Sequence, residues 1–144
     1  MRGFASIGLH MPKTPANVGA VLRAAHCYDA KLVAISGKRS GFGSTNTTKA
    51  ERHMPVILAE DLVNAIPHGA CPVAVDLVDD AECLFTFKHP ERAFYVFGPE
   101  DGTLGQKVLS WCPRRVMIPT SYCMNLAATV NVVLYDRMLK GFKQ

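Results

Sequence analysis

Three short stretches of this chain carry side chains suited to holding a hydroxyl or anionic ligand. The first contains Asn17, Gly19 and Arg23, the second Gly98, Pro99 and Glu100, and the third Met124 and Asn125, shortly after Pro119. The Arg23 guanidinium stays protonated, so it is a poor resting base, but its planar fork orients a hydroxyl or phosphate well. Asn17 is of the type that caps helices, and Glu100 suits a first helical turn. Glycine at 98 permits close backbone approach to a ligand. Other reactive residue types are less organised. Five histidines (His10, His26, His53, His68, His89) show no metal-ligand spacing, so no metal is expected. Five cysteines are scattered, with no CxxC, and Cys123 has no histidine close by in sequence to activate it as a nucleophile.

The elements that must position these residues alternate between strand and helix. Residues 4–9 predict a partly buried strand, ended by Pro12 and Pro15. Asn17 then caps an expected helix reaching Tyr28, with Val18, Leu22 and Ala25 at helical spacing. A β-branched strand is expected at 32–35, and a polar, glycine-rich loop at 37–48. Further along come a helix at 61–66, a strand at 72–77, an irregular connection at 79–90 and an apolar strand at 93–97. A helix at 105–111, a strand at 115–118 and a final helix at 125–140 complete the pattern. Leu126, Val130, Val133, Leu134 and Met138 lie along one side of that last helix, widened by Ala127 and Ala128.

Strands alternating with helices predict an α/β domain with a mainly parallel sheet flanked by helices. Ligands of such sheets bind outside the carboxyl ends of the strands. The stretches 12–19, 97–102 and 118–125 all have that position. With 144 residues, 49% of them apolar and 19% charged, the chain is expected to be a single domain, 1–144. It has neither an apolar run of about 18 residues nor a signal-peptide pattern, so no membrane association is expected and a reduced, cytoplasmic setting is. The net charge of +4 permits an anionic partner without requiring one. A weak basic patch spans 31–52, where Lys31, Lys38, Arg39, Lys49 and Arg52 face only Glu51.

Taken in order, Asn17-Val18-Gly19-Ala20-Val21-Leu22-Arg23, Phe97-Gly98-Pro99-Glu100-Asp101-Gly102, and Ile118-Pro119 followed by Met124-Asn125-Leu126 form a pattern. It resembles the three motifs of the SpoU–TrmH family of RNA ribose 2′-O-methyltransferases, in the SPOUT superfamily. The similarity runs from residue 4 to 140. The resemblance implies a SPOUT methyltransferase fold with a C-terminal deep trefoil knot, S-adenosylmethionine as cofactor, a homodimer, and RNA as partner. The chain is similar to the minimal members, many of which act on tRNA. The apolar surface of 125–140, including Val130 and Leu134, fits a helix buried against both core and partner, although a monomer core would also absorb it.

The resemblance further implies that Arg23, Asn17, Glu100 and Asn125 are catalytic. Arg23 would orient the ribose hydroxyl or stabilise the developing alkoxide, with Glu100 holding Asn17 or Arg23 in place. Val75, Leu77, Gly98, Ile118, Cys123, Met124 and Leu126 would bind the cofactor, with Leu126 and Met124 over the adenine. Tyr135 reads as a packed helix aromatic, and its family position leaves a role near the active site open. In the third motif Cys123 replaces the usual serine, and only Thr120-Ser121-Tyr122 separates it from Pro119. A thiol is a weak donor, which puts a side-chain contact there in doubt.

Lys38, Arg39, Lys49 and Arg52 are the expected RNA-binding residues, with Arg114 and Arg115 next. Two other readings stand beside the transferase. One is an RNA-binding protein of the same fold without transferase activity. The other, a nucleotide-dependent oxidoreductase, is disfavoured because no GxGxxG follows the first strand.

Overall fold

The computed structural model describes residues 2–37 and 53–142. Its elements run β1 (Phe4–Leu9), α1 (Pro15–Cys27), β2 (Val33–Ser36), β3 (Val56–Ala59), β4 (Cys71–Val75), β5 (Glu82–Cys83), β6 (Arg92–Phe97), α2 (Gly105–Leu109), β7 (Arg114–Met117) and α3 (Leu126–Phe142). Short 3-10 turns cover Leu62–Ala65 and Leu84–Thr86. The strands form one seven-stranded sheet in the order β3-β2-β1-β6-β4-β7-β5, and every pairing is parallel.

Both faces of the sheet are covered, which is why the central strands read as unbroken apolar runs rather than alternating ones. Along β6, Ala93, Tyr95 and Phe97 point into the core shared with α1 and α3. The intervening Phe94 and Val96 point to the other face, against Leu104, Val108 and Leu109 around α2. The side chain of Phe94 on β6 lies against Gly8 of β1. A Cβ on Gly8 would fall 2.7 Å from the Phe94 ring, so only glycine fits.

Register decides where the loops emerge. Leu9 pairs with Phe97, Phe97 with Val75, and Val75 with Val116. Four strands therefore end level with one another, and the segments that follow β1, β4, β6 and β7 leave the same edge.

The local differences from sequence expectation have plain causes. Asn17 does not cap α1. Pro15 occupies the first helical turn and holds the preceding Thr14 extended (ψ 115°), so the helix begins earlier and Asn17 is already inside it. The expected helix at 61–66 is only the 3-10 turn Leu62–Ala65, because Ile66 precedes Pro67 and is held extended (ψ 121°). β3 was not anticipated. It pairs along its whole length with β2 at the sheet edge, but Leu58 remains 72% exposed, so its burial pattern gives no alternation. β5, within the supposedly irregular 79–90, is too short to show periodicity.

Candidate active site

Side by side at the carboxyl edge, the segments after β1 and β6 meet through Glu100. Its Oε1 accepts from the Asn17 Nδ2 at 3.0 Å and from the Thr14 backbone N–H at 3.4 Å. Its Oε2 accepts from the Lys13 backbone N–H at 3.1 Å. Partial burial by itself would push the Glu100 carboxyl up. Hydrogen bonds from Asn17 and from the backbone of Glu100, Lys13 and Thr14 outweigh that and hold it below the usual value. Glu100 is thus a carboxylate at neutral pH and accepts only.

Asn125 is the cap of α3. Its Oδ1 accepts from the N–H groups of Ala127 (2.9 Å) and Ala128 (3.2 Å), satisfying two of the helix's orphan donors. That leaves Nδ2 to donate to Asn17 Oδ1 at 3.0 Å. The result is a directed relay, Asn125 to Asn17 to Glu100, in which each amide has one permitted orientation.

Beside this relay lies a cleft lined from the ends of β4, β6 and β7 and the start of α3. It encloses about 690 Å³ of non-protein space, part of it open to solvent. Val75, Leu77, Gly98, Ile118, Cys123, Met124 and Leu126, all singled out in the sequence, line it together. Glu100 lines it too. Its wall also includes Asp76, Thr120 and Thr129, which sequence reasoning missed. Asp76 accepts from the backbone N–H groups of Leu77 (2.9 Å) and Leu104 (3.0 Å), bracing the loop that approaches α2. An acid directly after a buried strand was the available signal. The mixture of apolar walls, backbone groups and two carboxylates, Asp76 and Glu100, fits a nucleoside-like ligand.

Arg23 is not brought to the cleft. It lies six residues beyond Asn17 on α1, about 120° round the helix. It is exposed and makes no hydrogen bond or ion pair with a described residue. Glu100 therefore positions Asn17 and not Arg23. Cys123 is exposed, as is Tyr135 at 51%. Of the two readings left open for Val130 and Leu134, core or partner, this chain's own core takes both, at 0% and 2% exposed. Among the described residues, the large apolar side chains that α3 leaves exposed are Val132, Tyr135 and Leu139, on another side of the helix. Lys38, Arg39, Lys49 and Arg52 lie outside the described residues. Arg114 and Arg115 are engaged by Glu82 (2.9 Å) and Asp80 (2.7 Å). Among the described residues no cluster of three or more His, Cys, Asp or Glu could hold a metal, and no helix is long and apolar enough to cross a membrane.

A family model described as the SpoU rRNA Methylase family matches residues 5–135, which takes in the relay and the cleft together. This chain belongs to the SpoU methylase family. Several solved structures share its fold. The SpoU methyltransferase AviRb of Streptomyces viridochromogenes superposes with a TM-score of 0.84 at 18% identity, covering 99% of this chain and 62% of that one. AviRb has also been solved in complex with AdoMet. An rRNA methyltransferase from Sinorhizobium meliloti gives a TM-score of 0.83 at 17% identity, covering 96% of this chain and 57% of that one. A structure described for 2-OH methylation of C/U34 on tRNA gives 0.76 at 23% identity, covering 96% of this chain and 98% of that one. The chain thus spans less than two thirds of AviRb and of the Sinorhizobium protein, but nearly the whole of the third. No curated protein sequence matches it significantly.

Proposed function

We propose that this SpoU methylase is a cytoplasmic enzyme that transfers a methyl group from S-adenosylmethionine to a ribose 2′-hydroxyl of RNA, with tRNA as the substrate. The observation that carries this reading is the junction of the cleft with the Asn125–Asn17–Glu100 relay. The cleft's lining suits the cofactor: Leu126 and Met124 offer apolar cover for adenine, while Gly98 and Ile118 offer backbone groups. When bound there, S-adenosylmethionine supplies a methyl group already activated by its sulfonium.

The remaining tasks fall to the chain. A 2′-hydroxyl is a very weak acid, so the residues must orient it and stabilise charge as its proton leaves. Asn17, held by Asn125 and Glu100, keeps the first turn of α1 in a fixed relation to the cleft rim. Arg23 is assigned to the RNA side, where its fork would engage the ribose hydroxyl or an adjacent phosphate. Among the described residues it has no hydrogen-bond or ion-pair partner, which fits that assignment. Lys38, Arg39, Lys49 and Arg52 are assigned to the RNA backbone.

Two further features belong to this reading. The segment after β7 is proposed to thread a loop as a deep trefoil knot. The active unit is proposed to be a homodimer that covers Val132, Tyr135 and Leu139, and light scattering at assay concentration tests it.

The central test is calorimetry with S-adenosylmethionine in the presence of EDTA, followed by transfer to a tRNA transcript. A 2′-O-methyl product resists alkaline cleavage at the modified position, since the hydroxyl that attacks the phosphate is blocked. Cofactor binding with an alkali-resistant linkage is expected. Binding of RNA without cofactor or transfer would instead support an RNA-binding protein of the same fold.

A further inference from the structure

At the opposite, amino-terminal end of the sheet a second cavity opens where the chain enters β6. Arg2, Lys88, Arg137 and Lys140 line it, against a single acid, Glu91. Arg137 is the unusual member. It is 6% exposed, yet no carboxylate among the described residues pairs with it. Its Nη1 donates to the Pro90 carbonyl (2.6 Å) and the Tyr95 hydroxyl (3.1 Å), and its Nη2 to the Glu91 carbonyl (2.6 Å). Buried cations are ordinarily neutralised by an acid. Here dipoles hold the guanidinium in place and its net charge remains at the cavity wall.

Nearby charges do not cancel it. Asp136 is shared between Lys140 (2.7 Å) and His89 (2.7 Å), so it is already committed. Arg2 and Lys88 are exposed on the rim and form no ion pair with a described residue. Phe85 stands on the same rim with its side chain 74% exposed. Cations in a concavity beside an exposed aromatic ring form the combination that holds single-stranded nucleic acid, through phosphate contacts and base stacking.

We propose that this cavity is a second RNA contact, remote from the cleft. A backbone phosphate is drawn to Arg2, Lys88 and the uncompensated charge of Arg137, and an adjacent unpaired base stacks on Phe85. The inference rests on RNA being the substrate. It is compatible with the proposed dimer, because Arg137 and Gly141 lie on a different side of α3 from Val132, Tyr135 and Leu139.

The experiment is fluorescence anisotropy of a labelled single-stranded oligouridylate of about 20 nucleotides, titrated with the full chain over a series of salt concentrations without S-adenosylmethionine. Wild type is compared with the double variant Arg2→Ala/Lys88→Ala and with Phe85→Ala. All three side chains are exposed, so folding should survive, and circular dichroism checks it. The double variant should lower the magnitude of the log-affinity versus log-salt slope by about 0.7 per lost contact, about 1.4 in total. Phe85→Ala should weaken binding at least about fivefold with the slope unchanged. Cofactor binding, read separately by calorimetry, should stay at the wild-type value in both. Wild-type affinity and slope in both variants would overturn the proposal. Absence of any RNA binding by the wild type would overturn the underlying RNA reading as well.

Discussion

Asn125 donates to the side-chain oxygen of Asn17 at 3.0 Å, tying the cap of α3 to the first turn of α1 across 108 residues. The two duties of Asn125 separate by substitution. Asn125→Asp keeps an oxygen for the Ala127 and Ala128 N–H groups, and its charge favours a helix N-terminus, but it has no N–H for Asn17. Its melting temperature should stay near wild type while methyl transfer falls. Asn125→Ala should lose both, with about 1 kcal/mol of stability gone with the cap. Full transfer activity in the aspartate variant would remove the relay from the mechanism.

Arg23 has no protein partner among the described residues and does not line the cleft, so its removal should leave the fold and the cofactor site alone. Arg23→Ala should reduce transfer by at least about a hundredfold, with cofactor affinity within a few-fold of wild type. Arg23→Lys should also be poor, since an ammonium keeps the charge and loses the fork. Single-turnover transfer alongside calorimetry separates the two effects. A lysine variant of near-normal rate would reduce the role to simple charge.

A buried network predicts how stability depends on pH. The His89 Nε2 faces Asp136 and its Nδ1 faces the Tyr95 hydroxyl, both at 2.7 Å. Arg137 donates to that hydroxyl, so the Tyr95 proton points at Nδ1, which must be an acceptor. Burial is the largest influence and lowers the His89 pKa. Asp136 opposes it, while Lys140 and Arg137 add to it. The unfolded chain, with a value near 6.5, therefore binds more protons in the window between the folded value and 6.5. Stability from this group is complete above 6.5 and declines as pH falls through that window, by at most about 1.4 kcal/mol per pH unit. Denaturant melts at pH 7.5 and pH 5 should show the loss in wild type and less of it in His89→Phe. Equal pH dependence in the two proteins would assign it to other groups.

Gly8 tests the packing of β1 on β6. The added methyl group of Gly8→Ala would meet the Phe94 ring at 2.7 Å, and that ring is fully buried. A loss of about 1–3 kcal/mol is expected from overpacking. Thermal denaturation measures it, and an unchanged midpoint would show that the ring can shift.

Most of the strand and helix order, though not β3, β5 or the 3-10 turn at Leu62–Ala65, was legible in the residues alone, as were a mainly parallel sheet and the stretches around Asn17, Glu100 and Asn125. Apolar runs and their breakers are local properties, and the motifs lie at strand-to-helix junctions whatever their distant neighbours do. Local reasoning went wrong where a neighbouring proline outranked it: Pro15 set the start of α1 ahead of Asn17, and Pro67 cut a helix down to one turn. Other features depended on register and packing. The pairing of Leu9 with Phe97 brings Glu100 to Asn17, so Asn17 became a link in a relay rather than a cap. The turn of α3 buries Val130 and Leu134 and leaves Val132, Tyr135 and Leu139 outside. The charge of Arg137 at a cavity wall was invisible in sequence, because it depends on the folded chain bringing carbonyls to it and, among the described residues, no carboxylate.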